Sequence, residues 1–454
     1  MKNPEINRRD FISTVVAATA GIATSGFTPV FANSRDTADK LAVLGGNPVR
    51  RNKSWPAWPY VDEKITASVE KTVRSGAWCR IDSGSGTVLQ FEKSWADMLG
   101  VKHCVAVGTG TQALNTCVEA LGIGPGDEVI TSPYTDMGTI ASILCARALP
   151  VLVDIDRESF QLDSAIVAKR INANTKAVMP VHIMGQPCDM DSILALARKH
   201  NLYVIEDACQ AHLGGYRGKK LGTIGDAGCF SHQSTKTICC GEGGSVVGNN
   251  NELMDKCYTV MNHGTSRRGR SETIGNKMRM NELEGAILIA QLVNAKEQWI
   301  RRNENVAYLT SKLKACPGVV PQKLYDGYES GSWYLYTMGY RKEHFNNVSR
   351  SVFLKALAAE GVALSPYIAN GLHREPWVDH ILGLKEYKKM YEPARLKQYK
   401  EELPCPVCDK ICDEEMLMFW ASGPLLATKA DMDDVVNAIM KVYQNRDQLS
   451  QVKL

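Results

Sequence analysis

Between residues 104 and 205 the hydrophobic period of the chain changes again and again, and this alternation constrains the fold more than any other feature. Cys104-Val105-Ala106-Val107 is a short apolar run. Ala113, Leu114, Cys117, Val118 and Leu121 then recur at helical spacing, until the Gly- and Pro-containing stretch from Gly122 to Asp127 stops the helix. Val129-Ile130-Thr131 reads as a strand, Ile140 to Ala146 as a helix, and Val151-Leu152-Val153 and Ala177 to Val181 as strands. Ile193 to His200 is helical and Leu202 to Ile205 is another buried strand. Short apolar strands separated by amphipathic helices indicate an α/β fold with a mostly parallel sheet covered on both faces. After Leu292 the character changes, with a long polar helix from Asn294 to Leu313 and a final amphipathic helix from Asp431 to Tyr443. The expectation is a large α/β domain over residues 48–296 and a smaller α+β domain over 297–454.

The start of the chain reads as an address. Asn7-Arg8-Arg9-Asp10-Phe11-Ile12 is a twin-arginine pattern, followed by a mildly apolar stretch and the small-residue triplet Val30-Phe31-Ala32. Residues 1–32 are therefore expected to be a twin-arginine signal peptide, and 33–47 a short N-terminal arm. No second stretch of about 18 apolar residues follows, so no stable membrane association is expected once the leader is removed. The 454 residues are 44% hydrophobic and 22% charged, which excludes a disordered or collagen-like chain. A net charge of +4 without a Lys/Arg stripe argues against nucleic acid as a partner. The 14 cysteines are even in number, but in so long a chain the count defines no disulfide framework.

Four local features carry chemistry. Gly108-Thr109-Gly110-Thr111 is a glycine-rich strand-to-helix turn, which suits phosphate at a helix N-terminus, although Thr111 would equally serve as a plain helix cap. Glu206-Asp207-Ala208-Cys209-Gln210 follows a buried strand, where open α/β sheets bind ligands; taken alone, Asp207 reads as a helix N-cap. Phe230-Ser231-His232-Gln233-Ser234-Thr235-Lys236 is followed by Gly241-Glu242-Gly243-Gly244, which suits an amine that must reach a carbonyl cofactor. Cys405-x-x-Cys408-x-x-x-Cys412 has a tempting spacing but no nearby fourth ligand, so structural thiols are expected and no metal.

Taken in order, these features resemble the DegT-type (DegT/StrS) sugar aminotransferases, fold-type I enzymes that are dependent on pyridoxal 5′-phosphate (PLP). The resemblance runs from about Leu41 to Tyr443. It rests on Leu44-Gly45-Gly46-Asn47-Pro48-Val49, on Gly122-Ile123-Gly124-Pro125-Gly126-Asp127-Glu128-Val129, and on Pro180-Val181-His182 with Gly185-Gln186-Pro187. Glu206 to Ala211, Gly225-Asp226, Asn262-His263-Gly264 and Arg279-Met280-Asn281-Glu282-Leu283 continue it. The resemblance implies an aspartate-aminotransferase-like large domain with Lys236 as the Schiff-base lysine and Asp207 as the acid paired with the pyridine nitrogen. It implies Gly110, Thr111 and Ser231 in the phosphate cup, Gln210 against the cofactor ring, and a homodimer with sites at the subunit interface.

Two departures stand out. Asp136 follows Pro133-Tyr134-Thr135 where the family commonly has an aromatic residue stacked on the cofactor, so that face gains a carboxylate unless Tyr134 or another ring takes over. Lys277 stands two residues before Arg279 where the family often has asparagine, and from the neighbouring subunit its cation could hold the phosphate. Trp78, Tyr134, Asp136, Trp333, Tyr336 and His373 are candidate lining residues by their place in the pattern. The expected activity is transfer of an amino group from glutamate or glutamine to a keto sugar or keto cyclitol. A PLP-dependent dehydratase or lyase, and an exported non-catalytic sugar-binding protein, are the competing readings. Retention of Lys236 counts against the dehydratase, whose family members replace the lysine with histidine. The twin-arginine leader places the protein in the periplasm or outside the cell.

Overall fold

The computed structural model describes residues 40–454 apart from Ser83 and Ser85, so the leader and most of the arm lie outside the described residues. Its centre is a seven-stranded sheet: β1 (His103–Val107), β2 (Glu128–Thr131), β3 (Leu149–Leu152), β4 (Thr175–Val178), β5 (Tyr203–Asp207), β6 (Ala227–Ser231) and β7 (Gly244–Gly248), in the spatial order β1-β7-β6-β5-β4-β2-β3. Only β7 runs against the others. The strands are apolar almost throughout because both faces are buried. Val105 and Val107 point to one side, into a layer with Ala113 and Leu114 of α3 (Gly110–Ala120). Ala106 points to the other, towards Val88, Phe91 and Trp95 of α2 (Thr87–Leu99), behind α1 (Glu63–Ser75).

The predicted helix at 140–146 is α4, Met137–Cys145, starting earlier because Asp136 caps it by accepting from the Gly138 N–H at 2.8 Å. The predicted helix at 193–200 is α5, Met190–His200, capped by Asp189. The long helix differs more. It runs from Glu282 to Leu313 as α6, 32 residues, opened by a capping box between Asn281 and Glu284. Its start was hidden because Gly285 to Leu292 is largely apolar, and buried residues around a helix leave little amphipathic signature.

This helix runs straight through the boundary expected at 296/297, and its second half enters another core with Val306, Leu309 and Leu313. That core also holds a three-stranded antiparallel sheet of β8 (Val319–Pro321), β9 (Leu335–Tyr340) and β10 (Met416–Trp420), together with α7 (Lys429–Gln444). Two segments lie elsewhere than their place in the chain suggests. Leu41, Val49 and Trp55 pack into the C-terminal core, and Arg50 pairs with Asp431 at 2.6 Å and Asp434 at 2.9 Å, so the large domain does not begin at residue 48. Conversely, residues 377–401 of the C-terminal portion cover the edge of the large sheet. The hydroxyls of Tyr387, Tyr391 and Tyr399 donate to the carbonyls of Ala148, Asp127 and Pro150 at 3.1, 2.6 and 2.9 Å. Such a cover protects an exposed strand edge from pairing with another chain.

Candidate active site

The carboxyl ends of β1, β2, β5 and β6 open into a cavity of about 540 Å³. Its walls include Gly110, Thr111, Asp207, Gln210, Ser231 and Lys236, six residues that come from three separate strand ends. Open parallel sheets bind ligands at this end, because the loops there diverge.

Thr109, not Thr111, caps α3, its hydroxyl accepting from the Gln112 N–H at 3.1 Å. Thr111 therefore keeps its own hydroxyl free of protein hydrogen bonds among the described residues, beside the first unpaired N–H groups of the helix. Gly110 is needed there. A Cβ on it would stand 2.6 Å from Ser231 Cβ and 2.9 Å from Cys209 Sγ, so only a bare backbone lets this helix end meet β6.

Asp207 closes β5 rather than capping a helix. It is 3% exposed, takes the Thr139 hydroxyl on Oδ2 at 2.7 Å, and takes the Cys209 N–H on Oδ1 at 3.2 Å. Burial pushes its carboxyl above the usual carboxylate range, with these donors and Lys236 pulling the other way. The neighbouring Glu206 is structural. It accepts from the N–H groups of Gly222, Ile224 and Gly225 and meets His182 at 2.8 Å, which ties down the turn between β5 and β6.

Gln210 is clamped at both ends of its amide, accepting from the Met184 N–H and donating to the Tyr367 hydroxyl, each at 2.7 Å. The Lys236 amine lies over the Tyr334 ring, 4.1 Å from its centroid, and the Tyr334 hydroxyl meets the Thr235 hydroxyl at 2.9 Å. Among the residues expected from the sequence, Lys277 is not on the cavity wall of this chain; it is exposed and bridges to Asn262. Asp136 lines the cavity, whereas Tyr134 is fully buried, edge-on to Tyr367 at 6.3 Å, and does not replace the missing ring. Of the other candidate lining residues, Trp78 is 52% exposed, Trp333 and Tyr336 belong to the C-terminal core, and His373 is buried near Asp409. Sequence reasoning missed Thr139, Tyr334 and Tyr367. Thr139 sits in the first turn of α4 and carried no signal of its own, and Tyr334 and Tyr367 arrive from 99 and 157 residues beyond their partners Thr235 and Gln210.

The DegT/DnrJ/EryC1/StrS aminotransferase family model matches residues 59–419. The chain belongs to this family. A putative L-glutamine:3-amino-2,3-dideoxy-scyllo-inosose aminotransferase of Streptoalloteichus tenebrarius is 34% identical over 90% of this chain and 99% of its own length. The spore coat polysaccharide biosynthesis protein SpsC of Bacillus subtilis is 33% identical over 88% of this chain and 99% of its own. Among solved structures, 3-amino-5-hydroxybenzoic acid synthase superposes with a TM-score of 0.74 at 26% identity, covering 88% of this chain and 99% of that one. An aminotransferase from Psychrobacter cryohalolentis gives 0.75 at 27%, covering 87% and 100%.

Enzymes of this family use PLP, and the cavity fits it. A lysine that could meet the aldehyde, a buried acid that could face the ring nitrogen, and an open helix end with the Thr111 and Ser231 hydroxyls that could take the phosphate share one space. All 14 cysteines are free thiols, Cys408 and Cys412 lying 4.0 Å apart, and no His/Cys/Asp/Glu group among the described residues has a metal-binding arrangement. No described helix is long and apolar enough to cross a membrane.

Proposed function

We propose that this protein transfers an amino group from glutamine or glutamate to a keto sugar or keto cyclitol. The observation that carries the reading is the convergence of Lys236, Asp207 and the open N-terminus of α3 on one cavity. Relatives named as glutamine-dependent aminotransferases of scyllo-inosose derivatives, matched over 90% of this chain, support the substrate class. Bound PLP supplies an electron sink for the carbanion left when a proton departs the substrate carbon.

This chain's residues do the rest. The N–H groups of Gly110 and Thr111 and the hydroxyls of Thr111 and Ser231 receive the phosphate. Asp207, which burial disposes towards the protonated form, would be favoured as a carboxylate by a cationic ring nitrogen and would then hold that nitrogen's proton. Gln210, fixed at both ends, forms a rigid wall beside the ring. Lys236 would hold the cofactor through its amine, and that amine, when free, would take up and return the proton at the substrate carbon. One site serving donor and acceptor in turn implies ping-pong kinetics.

The protein works as a homodimer in this reading, with Lys277 of each subunit reaching the phosphate of the other. The twin-arginine leader exports it already folded, with PLP loaded beforehand, to the periplasm or beyond. Purified protein is expected to be yellow, with the colour and all amino transfer lost in Lys236→Ala. Glutamine or glutamate is expected to bleach the yellow band, and a spectrum indifferent to every amino donor would overturn the reading. Residues 1–40 fused to a reporter that must fold before export should direct it outward, and the doubly substituted Arg8→Lys, Arg9→Lys leader should not.

A further inference from the structure

The backbone on both sides of the Lys236 α-carbon is held by parts of the chain remote from the large sheet. The Trp58 indole N–H donates to the carbonyl of Lys236 at 3.1 Å, and the Ser422 hydroxyl donates to the carbonyl of Thr235 at 2.9 Å. Trp58 comes from the N-terminal segment, and Ser422 from the loop after β10. Behind them stands Arg302 of α6. Its Nε and Nη2 both donate to the Ser422 carbonyl, at 3.1 and 2.8 Å, and its guanidinium lies 4.9 Å from the centroid of the Trp58 ring. Arg302 is 1% exposed and makes no ion pair among the described residues. Burial lowers its proton affinity, yet at neutral pH it remains a cation. The segments are pressed together, since a Cβ on Gly423 would lie 2.4 Å from the Pro56 carbonyl oxygen and 3.2 Å from Trp58 Cβ.

A buried guanidinium with no carboxylate is a costly arrangement, and a carbonyl and an aromatic face answer it only in part. Here both of those partners are themselves bonded to the peptides that flank Lys236. We propose that Trp58, Ser422 and Arg302 are positioning residues for the Lys236 amine. This rests on the aminotransferase reading above. A lysine side chain has four rotatable bonds, so the amine can return to one place only if its backbone is fixed. The large domain supplies the turn, in which the Lys236 N–H donates to the Gln233 carbonyl at 2.8 Å, but no strand of the central sheet includes Thr235 or Lys236. The N-terminal segment, α6 and the post-β10 loop therefore set the height and tilt of the lysine. Tyr334, which enters β9, supplies the surface on which its side chain rests.

The test uses the PLP-loaded protein with Trp58→Phe, which keeps a ring for Arg302 but removes the donor, with Ser422→Ala, and with both together. The pH midpoint of the visible band is expected to move by about half a unit or more in the double variant. Its kcat is expected to fall about tenfold, with KM for the amino donor within about twofold of wild type, as misplacement of a reacting group predicts. A second measurement needs no cofactor. In the cofactor-free protein, the rate at which an acylating reagent labels Lys236, read by mass spectrometry across pH, should change about threefold. A visible-band midpoint, kcat and labelling profile all equal to wild type, with only the melting temperature lowered, would overturn the proposal. A wild-type protein that never binds PLP would defeat the aminotransferase reading instead, and the labelling profile would still decide whether the lysine is held from Trp58 and Ser422.

Discussion

Gly110 and Asp207 show how single side chains, or the lack of one, build this site. Gly110 lies where α3 meets β6, and its missing Cβ is the space that lets the helix N–H groups face the cavity. Gly110→Ala is expected to weaken PLP binding about tenfold to a hundredfold, since overpacking here costs about 1–3 kcal/mol; a fluorescence titration of the cofactor-free protein measures it. Gly110 and Asp207 stood out in the sequence through the ordered family resemblance, since taken alone the glycine turn is a weak signal and Asp207 reads as a helix N-cap, whereas it ends β5. The hydroxyl of Thr139 on Asp207 did not, since a threonine inside a helix resembles any other. Asp136 lines the cavity and also caps α4.

The helices after Trp377 illustrate what an element contributes beyond its own residues. They carry three tyrosines and Arg395 to the edge strand β3 and the start of β2. Arg395 meets Glu128 through Nε at 2.6 Å and Nη2 at 2.9 Å, and the Glu128 side chain is fully buried. Arg395→Ala leaves that carboxylate with only the Asn172 amide, and is expected to cost about 3 kcal/mol in a denaturant titration at pH 7. Nothing in the local pattern of residues 377–401 announced this destination. Their amphipathicity says that one face must be covered, and not by what.

For the whole molecule, the two histidines packed beneath the lysine loop set a limit in acid. His212 and His232 lie 5.2 Å apart in a cluster with Phe91, Trp95 and Phe230, and neither is exposed. Burial holds His232 down to about 4, from an ordinary value of 6.5, and holds His212 well below it too. Both rings are neutral in the folded protein and take up protons readily only when it unfolds. The stability they allow is therefore complete above about pH 6.5 and is lost as pH falls towards 4, by about 3 kcal/mol for His232. Urea titrations between pH 7 and pH 4.5 are expected to show this decline, and His232→Gln should flatten it.

The alternation of strands and helices, the acid after β5's apolar run, the glycine turn and the lysine are all short-range patterns, and the chain alone determined them, together with the fold class. Period and spacing are local consequences of backbone geometry. Tertiary structure decided which distant segments close the site. Trp58, Arg302, Tyr334, Tyr367 and Ser422 have ordinary local surroundings and gain their roles only when α6 threads both domains and brings three parts of the chain onto one loop. Such contacts depend on how whole layers pack, and packing is specified jointly by every buried face rather than by any one stretch of sequence.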